Sequence, residues 1–322
     1  MVYKSIRGAE FGYDPDSQQI FINGTPLNGL VPRAKGKDIY VSSVVGGAGR
    51  TGDNPRNAIS TLDAAFAQCT ANQGDRIIVM HNHAETITGA AGIAHDVEGV
   101  SVIGLGVGNQ RPRFLMDGGT TVSYAISAAD AHVSNLVFAA GHADVVACFD
   151  VTAAGARIEN CEFVNNVVDE NFKSAITCSG ADGTADGLEV LRNFFYTVDA
   201  ATLGFILTTG DVIGARVEDN IVISEGTGLA TLITCATGKD LKGVRVLRNF
   251  LSSKATAGNL FISNDTASPN NSGIIANNRC RHADVTSTHT MGAVGGCGFF
   301  DNLSASTDAV SGLLLPAADV DS

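Results

Sequence analysis

A six-residue pattern of apolar and polar positions recurs along most of this chain. Its first position is always apolar, Asn often stands fourth, and the sixth position is usually apolar. We call this pattern the frame; its eight copies begin at residues 102, 133, 158, 190, 217, 246, 275 and 299. Successive copies begin 31, 25, 32, 27, 29, 29 and 24 residues apart. A nearly constant spacing of this kind indicates one supersecondary unit stacked on itself, which is a solenoid.

A second apolar run lies between most copies of the frame. These runs are rich in β-branched residues and have the length of strands; they cover residues 124–127, 149–152, 175–178, 205–209, 232–235 and 260–263. No repeat carries the longer periodicity of a helix, which disfavours a leucine-rich repeat. Two or three short strands per coil predict an all-β protein, a right-handed parallel β-helix in which equivalent strands pair from coil to coil.

Two polar positions of the frame predict ladders of side chains along the axis. Asn is fourth in the last five copies, where we expect it to adopt the left-handed turn conformation and to bond to its neighbours: Asn193, Asn220, Asn249, Asn278 and Asn302. The third position carries Arg192, Asp219 and Arg248 in consecutive coils, which predicts a structural ladder of alternating charge. Glu189 and Arg216, one residue ahead of their frames, suggest a second ion pair.

The residues before the first frame have a pattern that differs from that of the coils. Residues 54–74 predict one amphipathic helix, with Leu62, Ala65, Phe66 and Cys69 on its apolar face, which caps the rod. Residues 38–90 are then the cap and first coil, and residues 91–322 are the β-helix coils and the C-terminal tail. Such a cap matters because an uncovered β-helix end exposes unpaired strand edges.

Residues 1–37 predict a small N-terminal attachment arm. Residues 20–25 contain an Asn-Gly pair that favours a β-hairpin. Five basic against three acidic residues give this arm a net charge of +2, whereas the whole chain carries −12. The residues that we expect to make the attachment are aromatic or basic: Phe11, Tyr13, Phe21, Arg33 and Lys35.

Composition narrows the classes of partner. A net charge of −12 argues against nucleic acid, and no apolar run approaches the length that crosses a membrane. The first residues lack the apolar stretch of a signal peptide, so we expect synthesis in a cytoplasm. The seven cysteines have no metal-type spacing, which predicts buried free thiols rather than a zinc site or disulfides.

Candidate chemistry is sparse. His81 and His83 beside Glu85 suit a metal or acid–base site, or else plain turn histidines that pack on the cap. Asp182 and Asp186 flank Gly183 in a loop that suits calcium, although their spacing matches no known calcium motif. The chain has no Trp and five Tyr, which disfavours a sugar site built on aromatic platforms. We therefore predict no catalytic residue, no cofactor and no metal.

One stretch resembles a known group of proteins. Residues 38–41, 52–55, 60–66, 74–79 and 84–87 are similar to the cap and first coil of pectate-lyase-like β-helix proteins, most of all to the version in structural proteins of tailed bacteriophages. Many relatives have Gly before the Glu, where this chain has Ala84. On this fold, polysaccharide lyases hold calcium with carboxylates, and hydrolases use two or three acids, whereas the charged ladder here alternates in sign.

The resemblance implies a virion protein on the phage particle, made in the host cytoplasm. We expect a non-enzymatic capsid decoration or cement protein that binds the major capsid protein or another virion protein, as a homotrimer. The alternative is a tail fibre or tailspike that binds, and in some cases cleaves, a host surface glycan. A secreted pectate-lyase-like bacterial enzyme is disfavoured by the lack of a signal peptide and of clustered acids.

Overall fold

The structure, a computed structural model, describes most of the coil region. It describes residues 36–165, 169–198, 202–226, 231–254, 262–263, 270–282, 296–306 and 312–313, and the backbone of residues 2–6, 9–14, 19–22 and 25–26. The described coils consist of short strands joined by turns, because their apolar runs are β-branched and are separated by Gly-rich or polar corners. The described residues form three long sheets that share one core.

We name the three long sheets A, B and C. The ten strands of sheet A are all parallel: Asp38–Val41, Arg76–Val79, Ser101–Gly104, His132–Ser134, Arg157–Glu159, Glu189–Leu191, Arg216–Glu218, Val244–Leu247, Ser272–Ala276 and Gly296–Phe300. Sheet B also has ten strands: Ala84–Ile87, Arg113–Met116, Val137–Ala140, Glu162–Asn165, Phe194–Thr197, Ile221–Ser224, Phe250–Ser253, Arg279–His282, Leu303–Ser306 and Gly312–Leu313. The last of these runs antiparallel to its neighbour and covers the edge of sheet B.

Sheet C contains the second apolar runs of the repeats. Its seven parallel strands are Ile93–His95, Tyr124–Ile126, Val145–Val151, Phe172–Cys178, Gly204–Thr208, Ile233–Cys235 and Ile262–Ser263. A small parallel sheet at one corner pairs Val212–Ile213 with Leu241–Lys242. The predicted all-β fold, a parallel β-helix of stacked coils, is therefore confirmed.

The register of the coils is that of the frame. The first residues of all eight frames are paired partners in one row of sheet A: Val102, Val133, Ile158, Val190, Val217, Val246, Ile275 and Phe299. The first seven are at most 1% exposed. The sixth positions of the second to seventh frames form a matching buried row in sheet B, where Phe138 stacks on Phe163 with their ring centroids 5.8 Å apart, whereas Val107 of the first frame is exposed. Since successive residues of a strand point to opposite faces, one frame fixes what faces the core and what faces solvent.

The helix predicted over residues 54–74 is wrong in its length. The structure has a 3₁₀ turn at Pro55–Asn57, an α-helix at Leu62–Phe66 and a second 3₁₀ turn far along the chain at Gly108–Gln110. Ala58 adopts ψ 148°, and Ile59 bridges to Val41 as a β residue, so the helix cannot begin before this point. After it, the Thr70 N–H donates to the buried Asp75 carboxylate over 2.7 Å, which holds the chain in a turn.

The short helix nevertheless covers the core of the first coils. Its residues Leu62, Ala65 and Phe66 are buried, whereas Cys69 lies beyond its end and is half-buried. Two carboxylates tie it down: Glu85 accepts from the Leu62 N–H over 2.9 Å, and Asp63 accepts from the N–H of Ala94, in sheet C, also over 2.9 Å. These bonds satisfy a helix-end donor and an edge donor of the sheet at the same time.

The N-terminal strands form a sheet of their own. Val2–Ile6, Ala9–Asp14, Gln19–Ile22 and Thr25–Pro26 pair in that order, all antiparallel. Ile22 pairs with Thr25, so the hairpin predicted over residues 20–25 is confirmed. Phe11 pairs with Ile22 and Tyr13 with Ile20, whereas Phe21 pairs with Gly12. Arg33 and Lys35 lie outside the described residues.

Candidate functional site

Five Asn side chains form a continuous hydrogen-bonded ladder inside the coils. From Asn220 onward, the Oδ1 atom of each Asn accepts from both the backbone N–H and the Nδ2 of the Asn in the preceding coil, as between Asn249 and Asn220 at 3.0 and 2.9 Å. The Oδ1 of the first, Asn193, accepts from the Cys161 N–H. The same bonds join Asn193 to Asn220, Asn249 to Asn278 and Asn278 to Asn302. All five residues are at most 1% exposed. The ladder therefore provides acceptors for buried backbone N–H groups at the coil corners, which have no partner in the strands.

Each ladder Asn also reaches back to the core row of the frame. The Nδ2 of Asn249 donates to the Val217 carbonyl over 2.8 Å, and the Nδ2 of Asn220 donates to the Val190 carbonyl over 2.9 Å. One Asn side chain thus bonds to the coils on both sides of it. A ladder of this kind fixes the axial register of the rod, which is a structural role.

The expectation that these Asn adopt the left-handed conformation is wrong. Positive φ falls on the third frame position instead, at 55° in Arg192, 59° in Asp219 and 54° in Arg248. The chain turns its corner at that residue, and the side chain there points into solvent. The fourth residue then points inward, where an amide can pair with the copies above and below it.

The third-position residues pair differently from the predicted alternating ladder. Arg248 holds Asp219 through two bonds, 2.7 Å from Nε to Oδ1 and 2.8 Å from Nη2 to Oδ2. These bonds lower the pKa of Asp219 and raise that of Arg248. Arg192 does not bond to Asp219: it reaches back one coil to the Glu159 carboxylate and to Asn160.

A charged network covers the outer face of sheet A, and Glu159 and Glu218 are its centres. Glu159 accepts from His132, Arg157 and Arg192. Burial alone would raise the pKa of Glu159, but the bonds to Arg157 and His132 outweigh it, so that the pKa is lowered. Glu218 is bonded to three Arg side chains, at 3.1, 3.4 and 3.0 Å: Arg216, Arg245 and Arg248. Glu189 links the two centres through Arg157 and Arg216, which includes the ion pair suggested by the sequence.

Sequence reasoning missed Glu159, Glu218, His132, Arg157 and Arg245. A signal was available, because these residues occupy the positions immediately before and after the first residue of the frame. Those two positions face outward on either side of a buried residue, and the charges at Glu189 and Arg216 mark only the first of them, in two coils. Each described carboxylate of this face is held by one to three cations. The arrangement can lock neighbouring coils together through charge-assisted bonds.

We expect Asp219→Asn to destabilise the rod only modestly. The change removes the charge that holds Arg248, but this Arg keeps its bond to Glu218, and the Asp219 side chain is 37% exposed. Solvent screening limits such a pair to about 1 kcal/mol or less. Urea unfolding of both proteins measures the difference. A loss of more than about 3 kcal/mol would show that Asp219 has a role beyond this pair.

The two histidines near the cap are placed very differently. His81 is exposed, whereas His83 is buried and its Nδ1 accepts from the Ser43 N–H over 2.9 Å. Its Nε2 therefore carries the proton and donates to Glu85 over 3.1 Å. Its ring also packs 5.3 Å from that of Phe114. This is the geometry of a histidine that packs under the cap, the second of the two readings offered by the sequence.

The carboxylates of the Asp182 loop accept hydrogen bonds from other groups of the protein. Asp182 Oδ1 accepts from the Asp211 N–H over 2.9 Å and from Lys239 Nζ over 2.8 Å, and Asp186 Oδ1 accepts from the Ile213 N–H. The Lys239 bond is the main cause of the lowered pKa of Asp182. Among the described residues, no group of three or more His, Cys, Asp or Glu side chains is placed to hold a metal ion.

A buried His–Tyr pair lies beneath the cap helix, and the sequence analysis did not single it out. His95 Nδ1 lies 3.1 Å from the Tyr124 hydroxyl, and the His95 ring lies 4.6 Å from that of Phe66. Its Nε2 is buried beside the backbone of Val100, but no described atom forms a well-aligned hydrogen bond with it. Burial lowers the pKa of His95 to about 4, with a backbone bond opposing the shift and His132 adding to it.

We expect the stability of the rod to depend on His95 below about pH 6.5. Because the folded pKa is lowered from 6.5 to about 4, the unfolded chain binds the proton first. The contribution is complete above pH 6.5 and declines as the pH falls towards 4, by up to about 3 kcal/mol. Other acids also titrate, so the measurement compares the wild type with His95→Phe at pH 7.5 and 4.5. An equal loss in both proteins would contradict a buried, neutral His95.

No family model, curated protein or solved structure matches this chain. Among the helices in the described part of the chain, none is long and apolar enough to span a membrane. All seven cysteines are free thiols, five of them buried, and burial raises the pKa of Cys161 and Cys178 to about 12. The described side chains thus form ladders and ion pairs between coils.

Proposed function

We propose that this chain is a non-enzymatic structural protein of a tailed-phage particle, a decoration or cement rod displayed on the capsid. The observation that carries the proposal is the use of its charged groups. The described acids of the sheet A face are bonded to Arg or His side chains, within a strand or from coil to coil, and the pKa values of Glu159 and Asp219 are lowered. A general acid needs a raised pKa, whereas an intercoil brace needs an ionised carboxylate.

Attachment to the major capsid protein or another virion protein is assigned to residues 1–37. The four short strands there form a sheet separate from A, B and C. A sheet of this size buries too little surface to be stable alone, so it gains most from packing on a partner. The excess positive charge of this segment is also complementary to an acidic partner surface.

The test is add-back to phage particles that lack this protein. We expect the full chain to bind the particles and a chain that starts at Gly36 to remain free, although it keeps a β-rich spectrum and a cooperative melt. The matched control is the full chain with Leu203→Lys, which changes an exposed coil residue and should bind normally. Equal binding of the shortened and full chains would place the attachment on the coils and overturn this assignment.

A second candidate rests on a groove at the corner of sheets A and B. This groove has a volume of about 570 Å³ and is lined by Arg248, Asn249, Phe250, Asn277, Arg279, Asp301 and Leu303. An exposed ring beside two guanidinium groups suits an acidic sugar, which favours the tail fibre or tailspike alternative. Cryo-EM of the intact particle separates the candidates: density on the shell supports decoration, and density at the tail supports glycan binding.

A further inference from the structure

The outer face of sheet B carries a strip that is apolar or aromatic over most of its length and basic at one end. Its first row pairs Phe194, Ile221, Phe250 and Arg279 across four consecutive strands. Its second row runs through Tyr196, Ile223, Ser252 and Arg281 on the same strands. Ile221 is 45% exposed and Phe250 is 38% exposed, so two large apolar side chains stand side by side in solvent. We call these eight residues the sheet B strip.

Ion pairs border the strip on both edges. Asp219 and Arg248 lie at one edge, and Glu225 and Lys254 at the other. In both pairs, the acid belongs to the coil of Ile221 and the base to the next coil, that of Phe250. Along the rod axis, each edge therefore carries a negative charge at the coil of Ile221 and a positive charge at the coil of Phe250.

We propose that two copies of this chain pair antiparallel through the sheet B strip, about a two-fold axis that runs between the Ile221 and Phe250 strands and parallel to them. That axis places Ile221 against Phe250 of the partner subunit. It places Phe194 against Arg279 of the partner subunit, and Tyr196 against Arg281 of the partner subunit. Two of the three aromatic rings of the strip, those of Phe194 and Tyr196, thus meet a guanidinium, an arrangement that favours association by cation–π attraction.

The edges agree with the same axis. It brings Asp219 next to Arg248 of the partner subunit, and Glu225 next to Lys254 of the partner subunit, so that opposite charges meet at all four corners. If the two strips packed face to face with the rods parallel, the two edges would meet at equal heights. Asp219 would then face Glu225 of the partner subunit, and Arg248 would face Lys254 of the partner subunit, which is repulsive. The charge pattern thus selects the antiparallel pair.

The available area is sufficient for a reversible dimer. Six strands of sheet B, from Glu162–Asn165 to Leu303–Ser306, extend about 29 Å along the axis at ~4.8 Å per strand. Residues 219–225 extend about 23 Å across at ~3.3 Å per residue. The face is therefore on the order of 650 Å² per copy, close to the ~800 Å² that each partner buries in a standard interface. An isologous contact of this kind closes as a dimer rather than as the homotrimer implied by the resemblance.

This dimer does not depend on the proposed virion role, because the full chain alone is enough to test it. Sedimentation equilibrium should show a monomer–dimer equilibrium of the wild type. Ile221→Lys should weaken association by about a hundredfold, because it places a charge at the centre of the contact. The matched control is Ile213→Lys, which changes an equally exposed apolar residue in the small corner sheet and should leave association unchanged. A wild type that stays monomeric, or that forms trimers, overturns the proposal.

Two complementary charge reversals test the orientation. Glu225→Lys leaves two bases at one edge, and Lys254→Glu leaves two acids there, so each variant alone should dimerise about tenfold more weakly. In the antiparallel pair, an equimolar mixture of the two should recover association as a heterodimer. Failure of the mixture to recover would contradict the contact of this edge with itself.

Cysteine cross-linking gives an independent reading of the same orientation. Phe194→Cys and Arg279→Cys lie three strands apart within one chain, too far to join there, but should cross-link between chains when the two variants are mixed. The native cysteine next to this site, Cys280, is buried. Phe194→Cys that cross-links to itself as readily as to Arg279→Cys would show parallel rods and overturn the proposal.

Discussion

Val217→Asp is expected to abolish cooperative folding of the central coils. Val217 is 1% exposed and is paired with Val190 on one side and Val246 on the other. An aspartate at this position would bury a carboxylate between two apolar rows with no cation within the core. The cost is several kcal/mol or more, a large part of the total stability of a domain. Thermal melting followed by circular dichroism measures it.

The matched control for this change is Ile221→Asp. Ile221 lies four residues further along the same coil, but it is 45% exposed and faces solvent. At a concentration where the chain is monomeric, the same carboxylate placed there should shift stability by less than about 1 kcal/mol. If Val217→Asp melted like the wild type, or if Ile221→Asp were the more damaging change, the register of the coils would be one residue out.

The coil register could be predicted from sequence because two periodicities combine. Side chains alternate between the two faces of a strand every second residue, and the strands themselves recur about every 28 residues. Val190, Val217 and Val246 hold the first frame position, and pairing of equivalent strands brings them together without any further information. The hairpin at residues 20–25 was also predictable from local sequence, because an Asn-Gly pair favours a two-residue hairpin turn. The coil register follows from a repeated local pattern, and the hairpin follows from one local pair of residues.

Details that depend on three-dimensional competition were not predictable. Residues 54–74 have a helical pattern, yet Ile59 pairs with Val41, so tertiary β pairing overrides the pattern. Asn is the usual residue in a left-handed turn, yet here Arg192, Asp219 and Arg248 take that conformation. The third position does hold Asn in three other coils, at Asn135, Asn160 and Asn277. The inward fourth position needs an amide for a different reason, because an amide can both donate and accept between coils.

The partners of Arg192 show a second limit of sequence reasoning. The alternating signs at the third position suggested contact with Asp219, which follows one coil later. In the structure, each Arg of this row reaches towards the preceding coil, so Arg192 bonds to Glu159 and Arg248 bonds to Glu218 and Asp219. Sequence spacing placed the charges at the right height but did not give the direction in which the long side chains extend.

Asn249→Ala is expected to destabilise the rod by about 4 kcal/mol. The change removes the Oδ1 that accepts from Asn220 N–H and Nδ2, and the Nδ2 that donates to the Val217 carbonyl and to Asn278 Oδ1. Since no water reaches these 0–1% exposed positions, their donors stay buried without partners. Urea unfolding should show the loss, and hydrogen exchange should show faster opening at Asn220, because coupling between neighbouring coils carries the stability of a solenoid.

The control for Asn249→Ala is Ser252→Ala, another change of a polar residue to Ala, three residues further along the chain. Ser252 faces outward in the middle of sheet B and has no partner role in the ladder, so it should change stability by less than about 0.5 kcal/mol. Asn249→Asp separates the two halves of the amide: it keeps an acceptor for Asn220 but loses the donor to Val217 and buries a charge against Asn278 Oδ1. It should be at least as damaging as Asn249→Ala. If the Asn249→Ala and Ser252→Ala proteins unfolded at the same urea concentration, the Asn ladder would not stabilise the register of the coils and would only be a consequence of it.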